Sequence, residues 1–426
     1  MTHAIAGQTL AQKLIAKAAG HSRVSTGQIV NCRVDLAMFH DSSGPRRLAP
    51  MLARLNATVH DKRKLVLVLD HYVPEQDDDA RRIVRIARDW AREQDLPHVY
   101  DGQGICHVVL PQQGHLRPGL FCVGGDSHSP TGGAFGAYMF GVGSTDMLGV
   151  VVTGQIWLRV PDTMRLIWSN RLAAGLSAKD MMLHLIARFG MNGGRYEAVE
   201  FCGEAVQALS MPERMTLSNM SAELGAQTGL IAPDAITREW LLRHGVPDDA
   251  IDLTRWQGDD NAQTVDHHFD AATLVPQIAA PHSPANSRGV DQYGVEPIDI
   301  AYIGACTGAK IDDLRAAAQI LAGHQVAPGV TLMVAPASHL DQELAEREGV
   351  MNQLRDAGAQ LLPTTCGACA GYGRAIGGNA RVVATTARNF KGRMGASSAQ
   401  IWLASPFTVA ASALRGRLAD PREMLQ

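Results

Sequence analysis

The sequence predicts an α/β fold with mostly parallel sheets, and three observations support that class. Short apolar runs such as Leu65–Leu69 alternate with amphipathic stretches such as residues 79–94, as is typical of strands joined by helices. Polar motifs stand where several of these apolar runs end. Glycine is frequent, with 42 of 426 residues, and α/β folds use glycine where loops bring the backbone close to a ligand.

The first predicted elements lie in the N-terminal third of the chain. The run Leu65–Leu69 has the apolar continuity of a buried strand. Residues 79–94 follow as a helix, because their apolar side chains recur on one face. Residues 120–123 form another strand, which leads into a glycine-rich stretch over residues 124–143.

The same alternation continues towards the C-terminus. Residues 298–303 are predicted as a strand and residues 311–322 as a helix. The segment 279–297 is rich in Pro, Ser and Gly and has no periodicity, so we expect a linker before a C-terminal domain. A second boundary is expected near residues 160–161.

Composition and charge exclude several classes of protein. The net charge of −3 gives no electrostatic reason to expect binding to nucleic acid or to an anionic membrane. The apolar runs are too short to span a membrane, and the N-terminus lacks a signal pattern, so we expect a cytoplasmic protein. Seven cysteines, an odd number, argue against a disulfide framework and leave thiols for metal binding or catalysis.

Polar groups that follow the predicted strands indicate one shared site. The groups are Asp70-His71, Gly125-Asp126-Ser127-His128, Cys306, Cys366 and Arg388. Ligand sites in parallel sheets lie beyond the carboxyl ends of the strands. We therefore expect these side chains to meet.

Three cysteines are candidate metal ligands. Cys366 and Cys369 form a C-x-x-C pair, and Cys306 stands 60 residues earlier in a glycine-flanked turn. Three thiolates can hold three corners of a 4Fe–4S cluster and leave the fourth iron open. A zinc site or a redox pair also fits a C-x-x-C, although structural zinc takes four protein ligands and no second C-x-x-C exists. The spacing alone leaves these alternatives open.

A second group of residues suits acid–base chemistry. Its members are Asp70, His71, His107, Asp126, Ser127, His128, Asn219 and Glu223. Hydration and dehydration need a general acid and a general base, and a histidine paired with a carboxylate has a defined charge and orientation. Asn219 and Glu223 are four residues apart and share one face if the segment is helical. Taken singly, each residue is more often a surface or core group than a catalyst.

Several motifs in one order resemble those of the aconitase superfamily. They are Asp126-Ser127-His128 with the run to Gly136, Ser218-Asn219-Met220, Glu223-x-Gly225-Ala226, Gly304-Ala305-Cys306-Thr307, Cys366-Gly367-Ala368-Cys369, Arg388-Asn389-Phe390-x-Gly392-Arg393 and Ser405-Pro406. Residues 276–284 resemble the linker in large subunits of the 3-isopropylmalate dehydratase type, and homoaconitase large subunits are similar. The likeness runs from the N-terminus to about residue 420.

The resemblance implies three α/β/α domains around a central 4Fe–4S site, which we assign to residues 1–160, 161–278 and 279–426. It implies cluster ligation by Cys306, Cys366 and Cys369. It also implies acid–base pairs of Asp70 with His71, Asp126 with His107, and Glu223 with His128. Substrate contacts are expected from Ser127, Asn219, Arg388 and Arg393, since a guanidinium suits a carboxylate. The open iron is expected to act as a Lewis acid.

Three departures from the family pattern concern the expected substrate. Ala387 stands where the family usually has Asn, Gly308-Ala309-Lys310 replaces Asn-Gly-Arg, and Thr364-Thr365 replaces Pro-Gly. The cysteines are retained, so the cluster is still expected. The changes indicate a paralogue rather than the mainstream enzyme of the leucine pathway.

The resemblance also implies a partner. Full-length aconitases carry a swivel domain that supplies the serine base, and the sequence has no room for it after Ser405-Pro406. We therefore expect a heteromer with a small swivel-domain subunit, acting on a hydroxy-polycarboxylate in the conversion of 2- to 3-isopropylmalate or a related 2-alkylmalate. Homoaconitate or another substituted malate or citrate is the alternative substrate. A cluster-free RNA-binding protein and a zinc-stabilised non-catalytic protein are the alternative classes, and the absence of a basic stripe counts against RNA.

Overall fold

The computed structural model describes residues 7–372 and 376–425. Within them the chain forms eighteen strands: β1 (Ile29–Arg33), β2 (Leu36–His40), β3 (Leu65–Leu69), β4 (Val99–Asp101), β5 (Phe121–Gly124), β6 (Tyr138–Gly141), β7 (Gln155–Arg159), β8 (Thr163–Ser169), β9 (Ala198–Cys202), β10 (Thr228–Leu230), β11 (Val265–Asp270), β12 (Gln277–Ala279), β13 (Ser287–Gly289), β14 (Ile300–Ile303), β15 (Thr331–Val334), β16 (Gln360–Leu361), β17 (Arg381–Ala384) and β18 (Gln400–Ala404).

The same residues form thirteen α-helices: α1 (Leu10–Ala19), α2 (Pro45–Leu55), α3 (Asp78–Glu93), α4 (Cys106–Gln112), α5 (Ser144–Thr153), α6 (Ala178–Phe189), α7 (Glu204–Ala208), α8 (Met211–Met220), α9 (Ala235–Arg243), α10 (Ile311–Leu321), α11 (His339–Arg347), α12 (Val350–Asp356) and α13 (Pro406–Arg415). In this described part, no helix has both the length and the apolar character needed to cross a bilayer.

The strands belong to three larger sheets and a two-stranded ribbon. The first sheet has the order β4-β3-β2-β5-β6 and the second the order β10-β9-β8-β11, and both are parallel throughout. The third sheet has the order β13-β12-β18-β17-β14-β15-β16, in which β12 is antiparallel to both of its neighbours. Strands β1 and β7 form the antiparallel ribbon. The fold is α/β with mostly parallel sheets, as predicted.

Side-chain oxygens stabilise the start of several helices. The Asp77 carboxylate accepts a hydrogen bond from the backbone N–H of Ala80 at the start of α3, at 2.7 Å. At the start of α6, Ser177 and Asp180 form a capping box, in which the side chain of each residue accepts a hydrogen bond from the backbone N–H of the other. Such caps satisfy N–H groups that have no partner within the helix.

Two shared apolar cores join the third sheet to the other two. Met38 and Val66 of the first sheet pack in one cluster with Ile303 of the third. In a second cluster, Leu166 of the second sheet packs with Val382 of the third. Burial of apolar surface thus brings all three sheets together. The carboxyl-end loops of the first and third sheets, and the turn before β10 of the second, then face a common region, which is described below.

Most predicted elements are confirmed, with small shifts at their ends. Leu65–Leu69 is a strand, and helix α3 covers residues 78–93 instead of 79–94. The segment 279–297 differs from the expected linker, because strand β13 (Ser287–Gly289) lies within it and pairs with β12. Three residues are too few to show an alternating pattern, so the sequence concealed this strand. The division into three domains stays a prediction.

Candidate active site

The predicted polar groups do lie beyond the ends of their strands. Asp70 follows β3 directly, Asp126 lies two residues after β5, and Cys306 lies three residues after β14. Cys366 follows β16, and Arg388 follows β17. These groups therefore lie beyond the carboxyl ends of parallel strands in two sheets, the first and the third.

Asp70 and His71 form the first pair. His71 Nδ1 lies 2.7 Å from Asp70 Oδ1, and the backbone N–H of Cys106 donates to the other Asp70 oxygen at 2.7 Å. Burial lowers the pKa of His71, but the charges of Asp70 and Asp41 outweigh burial and raise that pKa to about 9. His71 therefore carries a proton at neutral pH. Because Asp70 occupies Nδ1, Nε2 is the nitrogen left for proton exchange.

His107 and Asp126 form the second pair. His107 Nε2 lies 2.7 Å from Asp126 Oδ1, and the backbone N–H of His128 donates to the same oxygen at 2.8 Å. Burial opposes ionisation of Asp126, but the nearby histidines outweigh it and hold the pKa of this carboxyl well below its ordinary value. Burial dominates at His107 and lowers its pKa despite Asp126.

His128, Glu223 and Arg388 form the third group. His128 Nε2 lies 3.0 Å from Glu223 Oε1, and Arg388 Nε donates to the same oxygen at 2.6 Å. Glu223 is fully buried, yet His128 and Arg388 outweigh burial and lower its pKa. Helix α8 ends at Met220, so Glu223 lies in the following turn and not on the helical face that its spacing from Asn219 suggested.

The turn after β14 presents Cys306. Glycine is required at position 304, because a Cβ there would lie 2.3 Å from the Tyr302 hydroxyl. Ala305 has a positive φ of 70°, which redirects the chain just before the cysteine. Asn219 Nδ2 lies 3.2 Å from Cys306 Sγ and 2.8 Å from Thr131 Oγ1. The predicted residue Asn219 thus contacts a predicted metal ligand.

The loop after β16 presents Cys366 and Cys369. The backbone N–H of Cys366 donates to the carbonyl oxygen of Asp70 at 2.9 Å, which ties this loop to the first acid–base pair. A hydrogen bond from Cys366 lowers the pKa of Cys369 to about 6, and Arg393 favours the thiolate further. Burial and the nearby Cys369 raise the pKa of Cys306 to about 12. All three cysteines are free thiols.

Unsatisfied polar atoms surround these cysteines. In the described part of the chain, four buried side-chain atoms there have no hydrogen-bond partner: Asn219 Oδ1, Glu223 Oε2, Tyr302 Oη and Arg393 Nε. A buried polar atom without a partner costs about 1–3 kcal/mol, so the arrangement suits a site that binds a further polar group. Three thiols suit an iron–sulfur cluster with one open iron, whereas structural zinc takes four protein ligands. A fourth thiol, Cys106, is also nearby, but burial and the charges of Asp70 and Asp126 raise its pKa well above the ordinary value and so disfavour its thiolate.

One acid–base residue, Asp126, lines an open cleft, whereas His71 lines a neighbouring cavity with Tyr372. Asp126, Ser127 and Arg388 lie on the wall of the cleft, together with Tyr196 and Gln227. Ser127 is exposed to the cleft, whereas Asn219 is buried behind it. The structure therefore brings the predicted catalytic, substrate-binding and cysteine residues into one region, although it does not test their roles.

Comparison with known proteins identifies the family. The model of the Aconitase family (aconitate hydratase) matches residues 12–297 and 291–416. The chain belongs to the aconitase family. It is 38% identical over 422 residues to the 3-isopropylmalate dehydratase large subunit of Desulfatibacillum aliphaticivorans, an alignment that covers 98% of this chain and 100% of the relative. It is 39% identical over 425 residues to the 3-isopropylmalate dehydratase large subunit 1 of Methanopyrus kandleri, with 98% and 100% covered.

A solved aconitase structure supports the fold. The crystal structure of Thermococcus kodakaraensis aconitase X in its holo-form superimposes with a TM-score of 0.51, covering 86% of this chain and 87% of that one. The two sequences are only 12% identical, so this likeness concerns the fold alone. Membership of the aconitase family confirms the predicted enzyme class, a hydro-lyase.

This aconitase-family site contains residues that the sequence analysis missed. Asp41 accepts hydrogen bonds from the backbone N–H groups of His71 at 3.2 Å and Tyr72 at 2.8 Å. The His40 ring stacks on His71 with centroids 3.9 Å apart. His40 and Asp41 stand at the end of β2, so the rule about strand ends was sufficient to find them. Lys179, which is buried beside the Cys306 turn, had no comparable signal in the sequence.

Proposed function

We propose that the chain is the cluster-bearing large subunit of a hydro-lyase that dehydrates and rehydrates a 2-hydroxy-polycarboxylate, in the manner of 3-isopropylmalate dehydratase. One observation carries this proposal: three histidine–carboxylate pairs and three cysteines meet in one region, where loops from different sheets come together. The name shared by its relatives, 3-isopropylmalate dehydratase large subunit, supports the substrate class.

The proposed cofactor is a 4Fe–4S cluster held by Cys306, Cys366 and Cys369. When bound, it supplies an iron that acts as a Lewis acid on the substrate. The nearby cations Arg393 and Lys179 support ligation, because positive charge favours the Cys369 thiolate, which is the form that binds metal. Asn219 donates to Cys306 Sγ and holds that ligand in place.

The histidines have different proposed tasks because their charge states differ. His71 is protonated at neutral pH and is proposed to donate a proton from Nε2 to the departing hydroxyl. Asp70 holds the ring at 2.7 Å and stabilises its charge. Burial favours neutral His107, so with Asp126 it is proposed to orient the substrate and accept hydrogen bonds.

The substrate carboxylates are proposed to bind the two arginines. Arg388 lines the cleft, and a planar guanidinium can bind a carboxylate through two parallel hydrogen bonds. Arg393 has a buried Nε without a partner in the described chain and lies beside Cys369. Ser127 at the cleft wall and Asn219 complete the proposed set of polar contacts.

A small swivel-domain subunit is the proposed partner. The relatives are named as large subunits, which supports a second, smaller chain. Its proposed place is over the open cleft lined by Asp126, Ser127 and Arg388. There it would supply the group that abstracts the carbon-bound proton.

The test is an assay of anaerobically purified protein, reconstituted with iron and sulfide and supplied with a small subunit. Isomerisation of 2-isopropylmalate to 3-isopropylmalate is the expected result. A panel of other substituted malates and citrates, including homoaconitate, tests the alternative substrates, which the departures at Ala387 and residues 308–310 keep open. Zinc in place of iron, or no hydration of any member of the panel, would contradict the proposal.

A further inference from the structure

Lys179 is a buried lysine that the proposed reaction does not use. It lies in the first turn of helix α6 and is only 1% exposed. Its Nζ donates to Thr307 Oγ1 at 3.3 Å and to the carbonyl oxygens of Thr385 and Thr386 at 2.6 and 2.7 Å. Three oxygens therefore engage the three N–H donors of the ammonium group.

These three oxygens are neutral, so none of the direct partners of the ammonium group carries a counter-charge. Within residues 7–372 and 376–425, Lys179 has no ion pair with a carboxylate. The other buried lysine of this region, Lys310, differs because its Nζ lies 2.8 Å from Asp313. Burial of a charge without a counter-charge is unfavourable, and proteins retain such an arrangement where the charge has a task.

The position of Lys179 indicates that task. Thr307 directly follows Cys306, while Thr385 and Thr386 belong to the loop that leads to Arg388. Helix α6, which follows strand β8 of the second sheet in sequence, thus binds two of the three loops of the third sheet that form the site. Burial lowers the pKa of Lys179 to about 8, against the charges of Asp313, Cys369 and Cys306, so the group is still mostly charged at neutral pH.

We propose that Lys179 is a positioning residue that supplies a fixed positive charge to the three-thiolate site and ties the Cys306 turn to the Arg388 loop. This inference rests on the proposed function, because the negative charge that it offsets belongs to thiolates holding a cluster. Charge in a buried site interacts over several ångströms, since the protein interior screens it less than water does.

The proposed charge has a measurable electrostatic effect. Reduction adds a negative charge to the site, and a nearby cation stabilises the reduced form. Removal of the positive charge should therefore lower the reduction potential of the reconstituted site. A tenfold change in this one-electron equilibrium corresponds to about 59 mV. Loss of the tie between the two loops should also accelerate loss of iron in air.

The experiment compares Lys179→Gln, which removes the charge but keeps a donor, with Lys179→Arg, which keeps the charge. Lys179→Met is a second neutral variant in case glutamine prevents folding. Lys64→Gln is the matched control, because Lys64 Nζ also donates to a backbone carbonyl, that of Val34 at 2.8 Å, but contacts no site loop. Each full-length protein is reconstituted with iron and sulfide, and its potential, iron release and thermal unfolding are measured.

The neutral variants are expected to have a lower reduction potential, by about 59 mV or more, which corresponds to a tenfold or larger change in the equilibrium. They should also release iron faster. Lys179→Arg should recover most of the potential, and Lys64→Gln should match the unaltered protein. Neutral variants with an unchanged potential would overturn the inference while leaving the proposed function intact. Failure of the unaltered protein to assemble any cluster would overturn the proposed function and this inference together.

Discussion

At the scale of single residues, equal hydrogen bonds produce opposite shifts in the pKa of two histidines. His71 and His107 each lie 2.7 Å from a carboxylate oxygen. His71 also feels the charge of Asp41, and its pKa rises. At His107 burial and the nearby His128 prevail, and its pKa falls. One distance therefore does not define the charge state, which depends on all groups that surround the ring.

The first prediction at the residue scale concerns the three cysteines proposed to hold the cluster. Replacement of Cys306, Cys366 or Cys369 by serine should abolish the visible absorbance of the reconstituted protein. A set of three thiolates has no spare ligand, and even changes outside the ligand shell typically cost about 10–100-fold in metal affinity. Iron and sulfide content per chain and the visible spectrum provide the measurement.

Cys32→Ser is the control for those three variants. Cys32 is buried in the ribbon strand β1, away from the site loops, and its Sγ lies near the carbonyl oxygen of Ile15. This variant should retain the full cluster signal. A cluster that persists unchanged in one of the three site variants would remove that cysteine from the proposed ligand set.

At the scale of elements, helix α6 is tied to the third sheet through two consecutive residues. Lys179 binds the site loops, whereas Asp180 is fully buried and accepts hydrogen bonds from the backbone N–H of Ser177 and of Gln277, both at 2.9 Å. Gln277 begins strand β12. The start of one helix therefore contacts both the site loops and strand β12 of the third sheet.

The raised pKa of Asp180 predicts that the free energy of unfolding depends on pH. Burial raises its pKa to about 6, above its ordinary value near 4, although the hydrogen bonds from Gln277 and Ser177 oppose the rise. The folded state then binds the proton more tightly than the unfolded state. The stability that this group contributes is present below about pH 4 and is lost as pH rises to about 6, by at most about 3 kcal/mol.

The measurement is chemical denaturation of the unaltered protein and of Asp180→Asn between pH 4 and 7. The variant should be less stable at low pH, because one backbone N–H loses its acceptor, and its stability should fall less over this interval. Asp95→Asn is the control, since Asp95 is exposed and pairs only with Lys62. Identical pH slopes for the unaltered protein and Asp180→Asn would show that Asp180 has no raised pKa.

At the scale of the whole molecule, each sheet contributes a different part of the site. The loops of the first sheet supply Asp70, His71 and Asp126, and the second supplies Glu223. The third supplies the cysteines and both arginines. Because the shared apolar cores hold the sheets together, the geometry of the site depends on packing far from the cleft.

The open cleft predicts that activity needs a second chain. The reconstituted single chain should be nearly inactive on the substrate panel, and a small subunit should raise activity on the order of a hundredfold or more, the scale of losing a general acid or base. Steady-state rates with and without the partner are the measurement. A mixture of the partner with the Cys366→Ser chain is the control and should remain inactive. Ordinary enzymatic rates from the single chain would contradict the heteromer.

The sequence by itself determined the features that depend on neighbouring residues. Apolar runs and helical periodicity were sufficient for the α/β class, for strand β3 and for helix α3. The rule for strand ends placed Asp70, Asp126 and Cys306 in one region before the structure was known. Motif resemblance then indicated the pairing of the acid–base residues and the aconitase family.

Only the tertiary structure decided contacts between residues that are remote in sequence. Arg388 bonds Glu223 across 165 residues, and Lys179 bonds Thr385 across 206. The turn that carries Glu223 and the short strand β13 also escaped detection, because neither has a period to recognise. Such contacts arise when apolar burial fixes the positions of whole sheets, and that arrangement is a property of the packed chain that no local pattern contains.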